Sequence, residues 1–277
     1  MGSVAGEGRT RGFFPESWDH ARAVYEEQLL EYHSKRGADL NSPQVKANVD
    51  NNTVSVPARG DHLIRMLNEL ADLELSNKTV LDVGCGFGAL ASYLVWRADP
   101  ARLVATDIND NLLSVARDCA YRTEFHDQLR FVKADMRDLS PLGGDRFDIA
   151  IANGVIFYAL NRQDFRQALS ELHRVLTPGG CVLFYHSNKW RWTDPFTQAP
   201  LVHLLPRRVS PAVSRLTGWK SSHGWIRLVS PVELRRSLRA LGFRDIKVIG
   251  FGKQRRHVRG PARFFGQRYV LSARRGT

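Results

Sequence analysis

The stretch Val80-Leu81-Asp82-Val83-Gly84-Cys85-Gly86-Phe87-Gly88 sets three glycines in five residues directly behind a short apolar run. Glycine costs more ordering entropy than any other residue, so such a cluster marks backbone with φ > 0 or a close approach to the main chain. Asp82 adds a carboxylate two residues before the first glycine. Further along, Asp107 closes the run VATD, where a carboxylate can accept both hydroxyls of a ribose. Asp135 closes FVKAD, within reach of an adenine amino group, Asn153 closes IAN, and His186 follows CVLFY. Either Asp alone reads equally well as a helix N-cap. Polar side chains at four successive run ends, behind a glycine loop, point instead to a ligand.

These residues need elements to hold them. Short β-rich runs at 79–83, 103–106, 129–132, 147–152 and 181–185 alternate with amphipathic segments at about 88–98, 109–122 and 161–176. Strands interleaved with helices of this length imply right-handed crossovers and a mostly parallel sheet covered on both faces. In such a sheet, ligands bind outside the carboxyl ends of the strands, and the loop after the first strand leads the site. The third helix closes at Thr177-Pro178-Gly179-Gly180, a stop by both Gly and Pro. Ser230-Pro231-Val232-Glu233 is a capping box opening a helix to about Leu241, and strands follow at about 244–250 and 269–273. Ahead of the first strand, helical spacing covers 18–32 and 57–73, and the Asn/Ser/Asp-rich 37–56 reads as a loop. The expected organisation is a disordered tail over 1–14 and a single domain over 15–277. Within that domain, 15–75 forms an N-terminal helical cap and 187–229 an insertion.

The 277 residues carry a net charge of +12. From residue 201 onward there are eighteen Lys/Arg against two acids, so the basicity is local. Local basicity argues for an acidic partner, an anionic surface or an Arg-rich solvated face. No apolar run reaches the ~18 residues of a membrane span, and MGSVAGEGRT lacks the apolar centre of a signal peptide. Cys85, Cys119 and Cys181 form neither an even framework nor a C-x-x-C pair, which fits a reducing compartment and no metal site. A cytoplasmic location is expected, with peripheral contact to an anionic membrane face left open.

Gly84-x-Gly86-x-x-Ala89 also satisfies the loose nicotinamide-dinucleotide fingerprint, with Asp107 near the expected acid position. Asp82 weighs against it, because a carboxylate there opposes a pyrophosphate and suits an ammonium or sulfonium charge. That favours S-adenosylmethionine.

The segment from about 79 to 187 resembles class I S-adenosylmethionine-dependent methyltransferases, in particular the small-molecule branch with the ubiquinone and menaquinone enzymes. The matching pieces are LDVGCGxG at 81–88, ATDI at 105–108, ADM at 134–136 and HRVLTPGG at 173–180. The resemblance implies an α/β, Rossmann-like doubly wound sheet, mostly parallel and seven-stranded with an antiparallel last strand, plus the helical cap and a lid insertion. It also implies that Asp82, Gly84, Cys85 and Gly86 serve the methionine end of the cofactor and that Asp107 with Ile108 holds the ribose. Asp135 and Met136 would frame the adenine, and Asn153 would lie near the methyl donor. S-adenosyl-L-homocysteine would be the product. Tyr25 and Tyr32 of the cap are candidates for further cofactor contact.

For a hydroxyl acceptor a base should remove the proton, and histidine is the commonest choice near neutral pH. His186 is the first candidate, His223 the second, and Tyr158 a possible positioner. The insertion carries Trp190, Trp192, Phe196, Trp219 and Trp225, which could stack on sugar or ring faces, and LVHLLPRR at 201–208, which could dock on an anionic membrane. A loose likeness of 194–206 to methyltransferases of glycan assembly tilts the acceptor toward a hydroxyl of a sugar, glycolipid, lipid-linked glycan or related secondary metabolite. A quinone or phenol acceptor, an RNA acceptor, a homodimer, and a binding protein without catalysis stay open. RNA is disfavoured because Asn153-Gly154-Val155-Ile156 is not the Asn/Asp-Pro-Pro-aromatic motif of amino-group nucleic-acid methyltransferases.

Overall fold

The computed structural model describes residues 18–123, 125–195, 197–205, 209–218, 226–252, 257–258 and 265–276. The tail expected over 1–14 lies outside them. Strands β1 (Thr79–Val83), β2 (Arg102–Asp107), β3 (Leu129–Lys133), β4 (Phe147–Asn153) and β5 (Leu176–Ser187) run parallel. Beyond β5, β6 (Phe243–Phe251) and β8 (Arg268–Arg275) complete seven long strands, β8 antiparallel to both β5 and β6. A two-residue β7 (His257–Val258) pairs with the edge of β6, giving the order β3-β2-β1-β4-β5-β8-β6-β7. The order reverses between β1 and β4, which opens a crevice at their carboxyl ends.

Helices cover both faces, and this is why the central strands are apolar at nearly every position. On one face α1 (Trp18–Ser34), α3 (Val56–Ala71), α4 (Ala89–Ala98) and α5 (Asp110–Arg122) bury Tyr25, Leu63, Leu94 and Leu113 against β1 and β2. On the other, α6 (Arg162–Val175) and α8 (Pro231–Ala240) bury Phe165, Leu172 and Leu234 against β4, β5 and β8. The caps are polar and local. Asn161 Oδ1 accepts from the Asp164 N–H at 2.8 Å, and Ser230 Oγ from the Glu233 N–H at 3.2 Å. Among the described residues no helix is long and apolar enough to cross a membrane.

One expectation fails. Residues 37–56 are not a continuous loop, because α2 (Pro43–Asn52) starts behind Ser42, whose side chain accepts from the Val45 N–H. Its sequence is polar, and only Val45 and Val49 are buried, against a cluster with Leu29 and Phe87. Tertiary packing of two valines at i, i+4 spacing, with Pro at the first turn, decides the helix.

After β5 the chain enters the insertion at Asn188, which bridges to Val229 where the segment returns. Asn188 and Asp194 are fully buried, so the described part is anchored by polar side chains rather than left in solvent. It includes α7 (Ser210–Thr217).

The placement of α3 depends on Gly60, whose Cβ, if present, would lie 2.2 Å from the Tyr93 ring. Tyr93 is itself buried under Trp18 and Trp96, so the ring has nowhere to go. Gly→Ala in a helix interior ordinarily stabilises by about 1 kcal/mol. Here Gly60→Ala should instead destabilise by about 1–3 kcal/mol in chemical unfolding, because the clash outweighs propensity. A stabilised variant would contradict the α3–α4 contact.

Candidate active site

The glycine loop is held by backbone bonds to the neighbouring strand. The N–H groups of Gly84 and Cys85 donate to the Thr106 carbonyl at 2.7 and 2.9 Å. The Asp107 carboxylate accepts from the Gly86 N–H and the Asn109 N–H, each at 2.9 Å. Gly84 (φ 74°) faces Val155, where an added Cβ would come within 2.4 Å of a methyl carbon. Gly86 (φ 59°) has the opposite situation: an added Cβ meets nothing within 4 Å. One glycine is required by packing; the other leaves the main chain open to a ligand.

That opening is a cavity of about 600 Å³ at the carboxyl ends of β1, β2 and β3. Of the residues expected from sequence, Gly84, Gly86, Asp107, Ile108, Asp135, Met136 and Tyr158 stand on its wall. Asp135 is held by Arg137, which donates from Nε and Nη2 to its carboxylate at 2.6–3.1 Å. This guanidinium holds the Asp135 carboxyl below the usual carboxylate range. Arg137 also reaches Asp164 at 3.2 Å, and both line the cavity. Neither Arg137 nor Asp164 was expected, and the sequence offers no pattern that marks them. Burial raises the Tyr158 phenol above its ordinary range, with the Asp107 charge adding to the effect. Tyr158 therefore stays a proton donor at the Asp107 end.

A second cavity of about 440 Å³ meets the first at Gly154. Asn153 lies on this second wall, away from Asp107 and Asp135. Across from it α3 supplies Arg59 and His62, and the strands supply Tyr185, Ser187 and Arg268. Arg268 donates to the Tyr185 hydroxyl at 3.1 Å, and Arg59 to the Asn51 carbonyl at 2.6 Å. The His62 ring packs edge-on against Tyr185 and Phe251. Neither Arg59 nor His62 is among the residues expected from the sequence. The available signal was a histidine four residues before Met66 and eight before Leu70, on the apolar stripe of α3.

Asp82 lines neither cavity but is buried, 2% exposed, in β1. Burial pushes its carboxyl up to about 7, with Arg59 of the second cavity opposing and Asp107 of the first adding. Cys85 is also off both walls, and burial raises its thiol. Tyr25 bonds Ser92 in the core, and Tyr32 packs on Phe87; neither lines these two cavities. His186 is not brought to either cavity. Strand alternation turns Tyr185 and Ser187 to the second cavity and His186 to the opposite side, against Phe157, Phe184 and Tyr269. There burial lowers its pKa to about 3, so it is a neutral packed ring. His223, Phe196, Trp219 and Trp225 lie outside the described residues.

A cavity of nucleoside size at the switch point, with the main chain open at Gly86 and a fixed carboxylate one strand away, defines a Rossmann-like cofactor-binding enzyme. Comparison with known proteins narrows this class. The model of the methyltransferase domain family matches residues 80–180. Over 196 residues the chain is 31% identical to the phthiotriol/phenolphthiotriol dimycocerosates methyltransferase 1 of Mycobacterium ulcerans, covering 68% of this chain and 69% of that one. Over 149 residues it is 33% identical to the fatty-acid O-methyltransferase of Mycolicibacterium smegmatis, covering 52% of each chain. The N-methyltransferase NodS from Bradyrhizobium japonicum, solved with S-adenosyl-L-homocysteine, shares the fold at a TM-score of 0.51 and 16% identity, covering 94% of this chain and all of that one. The chain belongs to the class I S-adenosylmethionine-dependent methyltransferases and is a small-molecule methyltransferase.

The position of Asp82 sets a pH dependence. A carboxyl whose pKa is raised in the folded state contributes stability below its unfolded pKa, and that contribution is lost as pH rises through the folded value. Thermal stability of the ligand-free protein should therefore fall as pH rises from about 4 through about 7, the unfolded and folded pKa values, with Asp82→Asn flattening the profile. Calorimetric melts across that range check it. A wild-type profile that coincides with that of Asp82→Asn would contradict the buried carboxyl.

Proposed function

We propose that the protein transfers a methyl group to a hydroxyl of a sugar-bearing or glycolipid-type small molecule, with the acceptor entering the cavity between α3 and the ends of β4 and β5. The observation that carries this reading is the junction of the two cavities at Gly154. The larger suits a nucleoside, and the smaller, at about 440 Å³, is within the range of small-molecule pockets. Its wall offers amide, hydroxyl, phenol, imidazole and guanidinium groups, a set that hydrogen-bonds hydroxylated rings. The relatives' activities on a phthiotriol and on a fatty acid support a lipid-type acceptor and transfer to oxygen.

The residues present fit S-adenosylmethionine. Asp107 would hold the ribose, Asp135 with Met136 and Ile108 the adenine, and Gly84 and Gly86 the methionine end. Arg59 would take its carboxylate, and Asn153 would lie near the methyl. When bound, this cofactor supplies a methyl group on a positively charged sulfur, a donor that needs no further activation. The protein's task is then alignment and exclusion of water, an effect that can be worth about 7–11 kcal/mol. His62 is the imidazole on the acceptor wall among the described residues, and we assign it, rather than His186, the removal of the hydroxyl proton. The segment 187–229 would cover the acceptor; its returning end, Ile226 and Leu228, packs on Phe157 of the second cavity's wall.

Labelled S-adenosylmethionine offered with glycolipid, free sugar, quinone, phenol and RNA acceptors should mark a glycolipid or sugar hydroxyl. Label in RNA, or in none of these, would contradict the reading. His62→Ala should lower turnover by about 10²–10⁴ with cofactor affinity unchanged. Wild-type turnover in that variant would take the proton-removing role away from His62.

A further inference from the structure

We propose that a separate groove between α6, α8 and the first part of the insertion binds an anionic amphiphile, the phosphate- or carboxylate-bearing part of the acceptor. The proposal rests on the reading of a lipid-type acceptor given above, but names a site that the cofactor and the two cavities do not use.

The groove has a volume of about 1030 Å³ and touches the cofactor cavity at Leu160. Its floor is apolar, made by Phe165, Ile226, Leu228 and Leu205. Its rim is cationic: Arg162 and Arg166 from α6, Arg236 from α8 and Lys189 from the insertion. Arg166 and Arg236 also border the adjoining depression along the two helices, so the charge continues down the α6–α8 seam. Among the described residues none of these four cations forms an ion pair, whereas the neighbouring acids are already engaged. Glu233 pairs with Arg227, and Asp164 with Arg137.

This pattern selects one chemistry. An apolar floor by itself would accept any alkyl chain, and a cationic rim alone would accept any polyanion. Together they fit a molecule with an anionic group beside an apolar chain, the charge-plus-burial combination that governs amphiphile binding at interfaces. The groove opens at Trp190 and Leu204, which are 46% and 38% exposed, so the apolar floor reaches solvent at its mouth. That exposed edge offers an amphiphile an entry that does not pass through the cofactor cavity.

Calorimetry with the full chain tests the proposal with no methyl transfer involved, so failure of the acceptor reading registers separately, in the labelling experiment. Dihexanoyl phosphatidic acid, kept monomeric, is titrated beside dihexanoyl phosphatidylcholine, inorganic pyrophosphate and single-stranded RNA. The phosphatidic acid should bind about tenfold or more tightly than each of the other three. Arg166→Glu with Arg236→Glu should reduce its affinity by about tenfold or more while S-adenosylmethionine still binds, which shows the variant is folded. Leu205→Asp should also weaken it. Equal affinity for the two lipids would overturn the proposal, as would pyrophosphate or RNA binding as tightly as phosphatidic acid. So would an affinity that the double charge reversal leaves unchanged.

Discussion

The bond from the Gly86 N–H to the Asp107 carboxylate is the constraint around which the site is arranged. It ties the end of β2 to the loop after β1, and with Gly84 and Cys85 bonded to Thr106 it leaves that loop one path. The path demands left-handed backbone at Gly84 and Gly86, and it brings Gly84 against Val155 of the β4 loop. Three strand ends are thereby locked to one another. The carboxylate that performs this is itself on the cavity wall, so a single group sets both the shape of the cofactor site and its charge.

From that point the site divides by charge. Toward β3, Arg137 draws Asp135 and Asp164 together and makes a polar wall with no free acid of its own. Toward α3, Asp82 is buried between an acid and a cation, and burial pushes its carboxyl up to about 7. The strong basicity after residue 200 belongs to a different level of organisation. Arg268 reaches the second cavity and Arg236 the groove, so part of that charge faces the two places proposed for an acceptor.

What the sequence made legible follows the range of the forces involved. The glycine loop, Asp107, Asp135 and the N-cap at Ser230 depend on local backbone demands, and each stands where its neighbours in sequence say it should. The α2 helix does not, because Val45 and Val49 acquire their importance from Leu29 and Phe87, both remote in the chain. His186 shows a subtler limit. Its position at a strand end was readable, but which side of the sheet it faces depends on the register of β5 against β4 and β8. Arg59 and His62 were hidden for the converse reason: α3 reads as a covering helix, and only tertiary structure shows that its first turns border a cavity.

Affinity for S-adenosylmethionine in the Asp107→Ala variant tests the central claim most directly, measured by calorimetry beside a thermal melt. Loss of the carboxylate frees the Gly86 N–H and, on the proposed reading, removes the ribose acceptor with it. Affinity should fall by about a hundredfold, the scale of one or two charge-assisted hydrogen bonds, while the protein stays folded. Wild-type affinity in a folded Asp107→Ala protein would contradict the account.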